Sequence, residues 1–426
     1  MVILTMTSLS LLFWIASGIV LQLAIYLGFV FWRKWMDYQT LPICRVVKVG
    51  QTELSSAGDN IATAWSGFRT FKVSRKAFED DIQSVCSFYL IPEDGQPLPS
   101  FLPGQFLTFR LDVPTKTGGT EQIIRYYSLS DAPHLDCYRV SIKRVKQPVG
   151  IDVPPGCSSN YFHDQIAVGS LLQVRAPSGH FYIDKSDAPV VLICGGIGIT
   201  PMLSMLNWCL INQPQREIWL FYGARNSQEL VMKSHLETLA SAHTNFHLWV
   251  CISNPLPEDT VRRDCRHQGR VDINLLRTQL PLKPYQFYIC GPATMMETIV
   301  LGLDDWGVPD AHIHFEAFGP ATIKRHNTTV SVAAARAEAA DTGIIVNFAL
   351  SEKQLPWQPS ANNLLEFAEA NGISVNSGCR AGGCGTCQTT IRSGEVAYRQ
   401  PPDFDPEPST CLLCVCTPKT NLTLEV

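Results

Sequence analysis

The alternation of apolar and polar positions divides the chain into four stretches. From Ser8 to Trp32 the residues are almost wholly apolar and none is charged. At about 1.5 Å of rise per residue, a helix over 8–32 is long enough to cross a bilayer with some tilt. Trp32 and Trp35 stand at the interface position, Arg33 and Lys34 lie between them, and no Lys or Arg precedes the run. The positive-inside rule then puts the amino terminus outside and everything after residue 33 in the cytoplasm, as a single-pass membrane protein. A signal peptide would show a basic start and a shorter apolar core ending at a small-x-small cleavage site, whereas this run has no basic residue before it and stays apolar to Trp32.

Over 66–186 the pattern is that of short strands. Phe71–Ser74, Ser84–Leu90 and Phe106–Leu111 are strand runs, separated by turn residues at Pro92–Gly95, Leu102–Gly104 and Thr117–Gly119. Such spacing suggests a β-barrel. Over 187–320 it changes to α/β. Pro189–Cys194 is a continuous apolar run, as in a parallel strand covered on both faces. A helix is predicted from Met202 to Cys209, with Thr200 as N-cap and Pro201 as first helical residue. Further strands are predicted at Ile218–Tyr222, Phe246–Ile252 and Phe287–Cys290. Residues 321–342, Ala-rich near 333–340, read as a linker. In 343–426 the spacing predicts a strand over Gly343–Ala349, an amphipathic helix over 364–372 and a last strand at Leu422–Val426. A hairpin is expected over Gln388–Val396, with Ser393-Gly394 at its turn.

Composition narrows the classes. A net charge of -4 argues against a nucleic-acid footprint. Of the 15 cysteines most are scattered singly in apolar runs, as at Cys194, Cys209 and Cys290, which is how buried thiols in a reducing compartment look. The exception is Cys379-Arg-Ala-Gly-Gly-Cys384-Gly-Thr-Cys387, followed by Cys414. The spacing C-x4-C-x2-C…C is that of a plant-type 2Fe–2S cluster, whereas a zinc knuckle would show two short C-x2-4-C pairs. Glycines at 382, 383 and 385 allow a tight loop whose amides face the cluster sulfurs.

Two further strings carry chemistry. Arg125-Tyr126-Tyr127-Ser128-Leu129-Ser130 precedes Gly156-Cys-Ser-Ser159-Asn160. An arginine offers a fork to a phosphate, an aromatic ring can lie on a flavin, and a Gly-Ser turn can present amides to pyrophosphate. Gly195-Gly196-Ile-Gly198-Ile-Thr200-Pro201 follows a predicted strand and opens a helix, where glycines admit a phosphate. It is not the dinucleotide fingerprint G-x-G-x-x-G, because Pro201 fills the third glycine position, and the next strand runs into Gly223-Ala-Arg225 rather than an acidic residue.

The ordered set R-x-Y-S-L-S, G-x-x-S-N and G-G-x-G-x-T-P resembles the ferredoxin–NADP reductase superfamily, the flavohaemoglobin reductase region especially. The C-terminal part resembles the β-grasp ferredoxin domain. Together they resemble the three-part reductases of oxygenase systems, with an added amino-terminal anchor. The resemblance implies that Arg125 binds flavin phosphate, that Tyr127 and Ser128 meet the ring, and that Ser159 meets pyrophosphate. It implies a pyridine-nucleotide site at Gly195, Gly196, Gly198, Thr200 and Pro201. It puts Cys290, in the turn Cys290-Gly291-Pro292, near the nicotinamide, and Glu316 and Phe318 at the flavin edge. His163 and His180 read as structural. The fourth cluster ligand is Cys414, because only that choice fits Leu412-Leu413-Cys414…Pro418 to the family pattern, leaving Cys411 and Cys416 as extra thiols.

The implied activity is electron transfer from NAD(P)H through flavin to the cluster and on to a separate oxygenase, hydroxylase or other redox protein. FAD is favoured, with FMN as the alternative. NADH is favoured over NADPH because no Arg follows Ser253, although Arg262 and Arg263 could reach a 2′-phosphate. A stand-alone reductase of a quinone or small oxidant and a non-catalytic redox sensor are the competing readings.

Overall fold

A computed structural model describes residues 17–19, 22, 26, 28, 65, 67–115, 118–134, 136–147, 154–261, 265–318, 343–358, 361–378, 380, 382–383, 385–398, 402 and 406–426. The chain forms two compact units, Met1–Arg45 and Val46–Val426. Most of the expected anchor over 8–32 lies outside the described residues. Those described within it are helical, and Ile19 and Tyr26 are exposed. Among the described residues no helix is long and apolar enough to cross a membrane. The linker 321–342 also lies outside.

The larger unit begins with an antiparallel sheet of β1 (Arg69–Phe78), β2 (Val85–Pro92), β3 (Phe106–Pro114), β4 (Thr120–Ser128), β5 (Tyr138–Lys143) and β6 (Leu171–Val174), in the order β4-β3-β6-β1-β2-β5. Leu129, one residue past β4, bridges Val140 on β5 and draws the two edges together into a partly closed barrel. The inward set Phe71, Val73, Phe88, Leu90, Phe109 and Val140 packs with Phe162 from α1 (Cys157–Asp164). The arginine-tyrosine motif lies on β4, a strand the apolar pattern alone does not reveal. Its segment Thr120–Ser128 is mostly polar and forms one edge of the sheet.

Next come β7 (Val190–Gly195), α2 (Ile199–Asn212), β8 (Ile218–Ala224), α3 (Lys233–Ala242), β9 (Phe246–Ile252), β10 (His267–Gln268), α4 (Ile273–Gln279), β11 (Gln286–Cys290), α5 (Ala293–Asp305) and β12 (Ile313–Glu316). The strands form a parallel sheet ordered β10-β9-β8-β7-β11-β12. Every residue of β7 is buried, which explains its unbroken apolar run. The order reverses between β7 and β11, so the carboxyl ends of these two strands flank the crevice in which such sheets bind ligands. The helix after β7 begins at Ile199, one residue before the expected cap. Gly196–Gly198 form a 3-10 turn that runs straight into α2, and the Thr200 hydroxyl donates to the Ile197 carbonyl at 3.0 Å instead of capping.

Polar contacts lock this domain to the barrel. The Ser204 hydroxyl donates to the Asp131 carbonyl and Asn207 Nδ2 to Asp131 Oδ1, each at 2.7 Å. Burial opposes ionisation of Asp131, but the neighbouring Arg139 guanidinium, His134 and Asn207 outweigh it and hold the carboxyl well below the usual carboxylate range.

The C-terminal domain contains β13 (Ile345–Phe348), β14 (Lys353–Pro356), α6 (Leu364–Ala370), β15 (Gln388–Ser393), β16 (Val396–Tyr398), β17 (Thr410–Leu412), β18 (Cys416–Pro418) and β19 (Leu422–Leu424). Its main sheet runs β14-β13-β19-β15-β17, and α6, capped by the Asn363 side chain, packs over its core. The expected hairpin at Ser393-Gly394 does not form. β15 is flanked by β19 and β17, and β16 pairs with β18 instead. Gly394 holds a φ of 93°, and a Cβ there would stand 2.1 Å from the Asn421 carbonyl oxygen, so only glycine fits.

Candidate functional site

A cleft of about 410 Å³ opens where the barrel meets the parallel domain. Its walls bring together Arg125, Tyr127 and Ser128 from β4, Ser159 from α1, Thr200 from α2, and Phe318. These residues are nearly two hundred positions apart in sequence. Arg125 is exposed at the rim and donates one Nη1–H to the Ile124 carbonyl at 2.7 Å, leaving further donors of its fork for a phosphate. The Tyr127 hydroxyl shares a 2.8 Å hydrogen bond with Ser158, and its ring packs edge-on against Phe109 and Phe162. Burial pushes this phenol up to about 12, so it stays protonated.

Ser159 lines the cleft, but its hydroxyl is engaged locally. It accepts from the Val145 amide at 3.1 Å and donates to the Gly156 carbonyl at 3.2 Å. What the G-x-x-S turn offers an anion is therefore the backbone N–H groups at the start of α1, which have no intrahelical acceptor. Ser158 and Lys143, at the end of β5, also line the cleft and carry no sequence assignment. Lys143 is the last residue of β5, and its ammonium lies 3.6 Å from Glu229. His163 is structural, its Nε2 lying 2.9 Å from the Ile142 carbonyl.

The second group sits where the parallel sheet reverses. A Cβ on Gly198 would stand 2.2 Å from the Cys290 carbonyl oxygen, and one on Gly195 would stand 2.7 Å from Pro292 Cδ. The loops Gly195–Gly198 and Cys290–Pro292 thus touch backbone to backbone. Gly196, at φ 53°, has open space where a side chain would be. This cradle suits a phosphate-bearing nucleotide. Cys290 pairs in register with Glu316 across β11 and β12. Burial, with the Glu316 charge nearby, drives the Cys290 thiol well above its ordinary value, so it is not a thiolate nucleophile.

The Ser128 hydroxyl donates to Glu316 Oε2 at 3.4 Å, linking barrel and parallel domain at the cleft. Burial raises the Glu316 carboxyl to about 8, against the smaller opposing effect of that hydrogen bond, so at neutral pH it holds a proton. A folded-state value above the unfolded one adds stability that is complete below the ordinary carboxylate range and is lost as pH rises through about 8. Thermal unfolding of the wild type is therefore expected to fall more steeply from pH 5 to pH 8 than that of Glu316→Gln. Equal slopes would show that Glu316 titrates normally.

The third group is in the C-terminal domain. Cys387 and Cys414 are buried in its core, and Gly382 and Gly385 hold φ of 76° and 75° in the loop between the motif cysteines. Cys379 and Cys384 lie outside the described residues. Arg380, in the same loop, makes a two-pronged ion pair with Glu369 in the last turn of α6. The loop rests on the barrel: the Tyr126 hydroxyl donates to the Gly378 carbonyl at 2.8 Å, and a Cβ on Gly383 would stand 2.9 Å from both Phe106 Cζ and Ser178 Oγ.

Comparison with known proteins follows the same three parts. Residues 86–183 match the oxidoreductase FAD-binding domain, 192–300 the oxidoreductase NAD-binding domain, and 348–419 the 2Fe-2S iron-sulfur cluster binding domain. The flavohemoprotein of Halalkalibacterium halodurans is 40% identical over 291 residues, which is 68% of this chain and 68% of the relative. The chain belongs to the flavohemoprotein-like FAD/NAD reductases. It is an NAD(P)H-dependent flavin oxidoreductase with a 2Fe-2S domain, and its cofactors are FAD and a 2Fe–2S cluster. The flavohemoprotein of Bacillus cereus is 41% identical over 258 residues, and the reductase spans 62% of its length. The FAD/NAD-binding domain of a Vibrio cholerae nitric oxide dioxygenase is matched over its whole length and 60% of this chain, with 33% identity and a TM-score of 0.53. Phthalate dioxygenase reductase is matched over 84% of this chain and 98% of its own, with 25% identity and a TM-score of 0.49.

The residues present fit these groups. The cleft offers an arginine fork, an aromatic wall and helix N–H groups to a flavin. The paired glycine loops leave room for a nucleotide, and the thiols of Cys387 and Cys414 are the soft donors that iron requires.

Proposed function

We propose that this reductase draws electrons from NADH and delivers them, one at a time, to a separate oxygenase or hydroxylase, and that residues 8–32 anchor it to the membrane with its catalytic domains in the cytoplasm. The observation that carries the electron path is the seating of the cluster loop on β4, the strand that also carries Arg125, Tyr127 and Ser128. When bound, FAD and the cluster supply the conversion of a two-electron donor into single electrons.

In this reading the chain binds and orients. Arg125 holds a flavin phosphate, Tyr127 and Ser128 border the ring, and the first N–H groups of α1 receive the pyrophosphate. Gly195, Gly196 and Gly198, with Gly291 and Pro292, seat the nicotinamide nucleotide, and Thr200 and Pro201 begin the helix behind it. Cys290 shapes that seat as a neutral thiol. Glu316 holds a proton beside Ser128, and Phe318 shields the flavin edge from water. Cys379, Cys384, Cys387 and Cys414 ligate the cluster.

The preference for NADH is supported by Arg225, which leaves β8 where a ribose phosphate would approach. Its guanidinium is paired with Glu229, Nη2 to Oε1 at 2.7 Å and Nε to Oε2 at 3.0 Å. Arg262 and Arg263 lie outside the described residues. The anchor is supported by the uncharged apolar run and the Arg33-Lys34 pair that follows it.

The test is anaerobic addition of NADH to the full-length protein in detergent. Flavin and cluster bands are expected to bleach together, a rhombic EPR signal to appear, and NADPH to act more slowly. A cluster that stays oxidised would refute the path. Rapid turnover of a quinone without any partner protein would favour a stand-alone reductase.

A further inference from the structure

Tyr126 fills the open position of the Arg-x-Tyr-Ser string and lines the cleft beside Arg125 and Tyr127, and the flavin reading gives its hydroxyl no task. Its surroundings do. Its ring lies tilted on Phe106 with centroids 5.3 Å apart, and its hydroxyl donates at 2.8 Å to the carbonyl of Gly378, the residue before Cys379. Phe106, 1% exposed, is also the ring against which Gly383 is pressed, with no space for a side chain between them. Gly378 immediately precedes Cys379, and Gly383 immediately precedes Cys384. The loop therefore meets the barrel at two points, one held by the Tyr126 hydroxyl and one by close backbone approach. In sequence Tyr126 lies directly between Arg125 and Tyr127, so one stretch of β4 touches both redox sites.

We infer that Tyr126 is a positioning residue for electron transfer between flavin and cluster, fixing the cluster loop against the strand that borders the flavin. The inference rests on the electron path proposed above. In the step it serves, one electron leaves the reduced flavin and enters the oxidised cluster, no bond is made or broken, and NAD(P)H is the source. Tunnelling rates fall steeply with distance, so a loop free to lift from the barrel spends part of its time in a slow geometry. A backbone carbonyl as acceptor suits this task, because it is rigid and carries no charge whose titration would release the loop. The tyrosine is also a better tether than a longer polar side chain, since its ring is already held by Phe106 and little rotamer freedom is lost on bonding.

The test uses the holoprotein and Tyr126→Phe, which keeps the ring on Phe106 and removes only the hydroxyl. In anaerobic stopped flow with NADH, the first flavin bleaching is expected to match the wild type, while cluster reduction slows. Loss of one ordinary hydrogen bond multiplies the ratio of lifted to seated loop by about fivefold, so the slowing of cluster reduction and the quickening of hydrogen exchange in peptides covering 376–388 should multiply to about fivefold. Gly383→Ala, which lifts the second point of contact, should slow cluster reduction further and leave flavin bleaching unchanged. The proposal is overturned if Tyr126→Phe keeps the wild-type rate of cluster reduction and the wild-type exchange, whatever Gly383→Ala does. It is equally overturned if Tyr126→Phe slows flavin bleaching as much as cluster reduction, since the hydroxyl would then serve the flavin site. A wild-type cluster that NADH never reduces would instead sink the electron path itself and take the positioning role with it.

Discussion

Cys414→Ala is expected to abolish the rhombic EPR signal of the reduced cluster while leaving flavin bands that NADH still bleaches. Cys411→Ala and Cys416→Ala should keep the signal. All three thiols are buried within six positions of one another, so burial does not choose between them. Their places in the fold do. Cys411 lies on β17, paired with β15, and Cys416 on β18, paired with β16, so both thiols belong to strands held in a ladder. Cys414 stands in the turn between the strands, where the Val415 amide bonds back to the Leu412 carbonyl at 3.1 Å and the backbone is bent rather than paired. A cluster signal that survives Cys414→Ala and disappears in either neighbour would overturn the assignment. Retained flavin bleaching guards against the trivial explanation that the variant has unfolded.

Gly198→Ala is expected to lower the rate of flavin reduction by NADH by about a hundredfold, the usual consequence of displacing a reacting group by about 1 Å. The added Cβ would meet the Cys290 carbonyl oxygen at 2.2 Å, its carbon at 2.5 Å and the Gly291 nitrogen at 2.9 Å. All three are backbone atoms at the ends of adjacent strands, so no side chain can swing aside. Either β7 and β11 splay at their carboxyl ends or the loop shifts, at about 1–3 kcal/mol for overpacking. Both responses move the nucleotide seat relative to the flavin. Reduction by dithionite should be unaffected, because it needs no nucleotide site. Gly196→Ala should also slow reduction by NADH, by a different route: its Cβ would enter the open space of the nucleotide seat, and its φ of 53° costs about 1–2 kcal/mol in an L-residue without a clash inside the protein. Wild-type kinetics with NADH in Gly198→Ala would show that this contact does not govern the seat.

Two expectations failed because they concerned local structure with tertiary competition. Thr200 has the chemistry of an N-cap, yet the 3-10 turn at Gly196–Gly198 flows into α2 and leaves it no cap to make. Ser393-Gly394 has the chemistry of a hairpin turn, yet β19 and β17 occupy the edges of β15, and the chain after Gly394 pairs elsewhere. The strand that carries the arginine-tyrosine motif was invisible to apolar periodicity because most of its residues face water or the cleft.

The sequence by itself determined which chemistry is available. Cysteine spacing, glycine runs and the ordered motif strings depend only on residue type and order. Those are properties of the chain, and the three domain matches agree with them. The tertiary structure decided how the chemistry is arranged. It joined Ser128 to Glu316 across two domains, paired Cys290 with Glu316 across a sheet, set Gly198 against the Cys290 carbonyl, and tied Tyr126 to the loop of the cluster. Each is a contact between residues dozens to hundreds of positions apart. Such contacts are fixed by which strands pair and which faces pack, and no local pattern of residues encodes them.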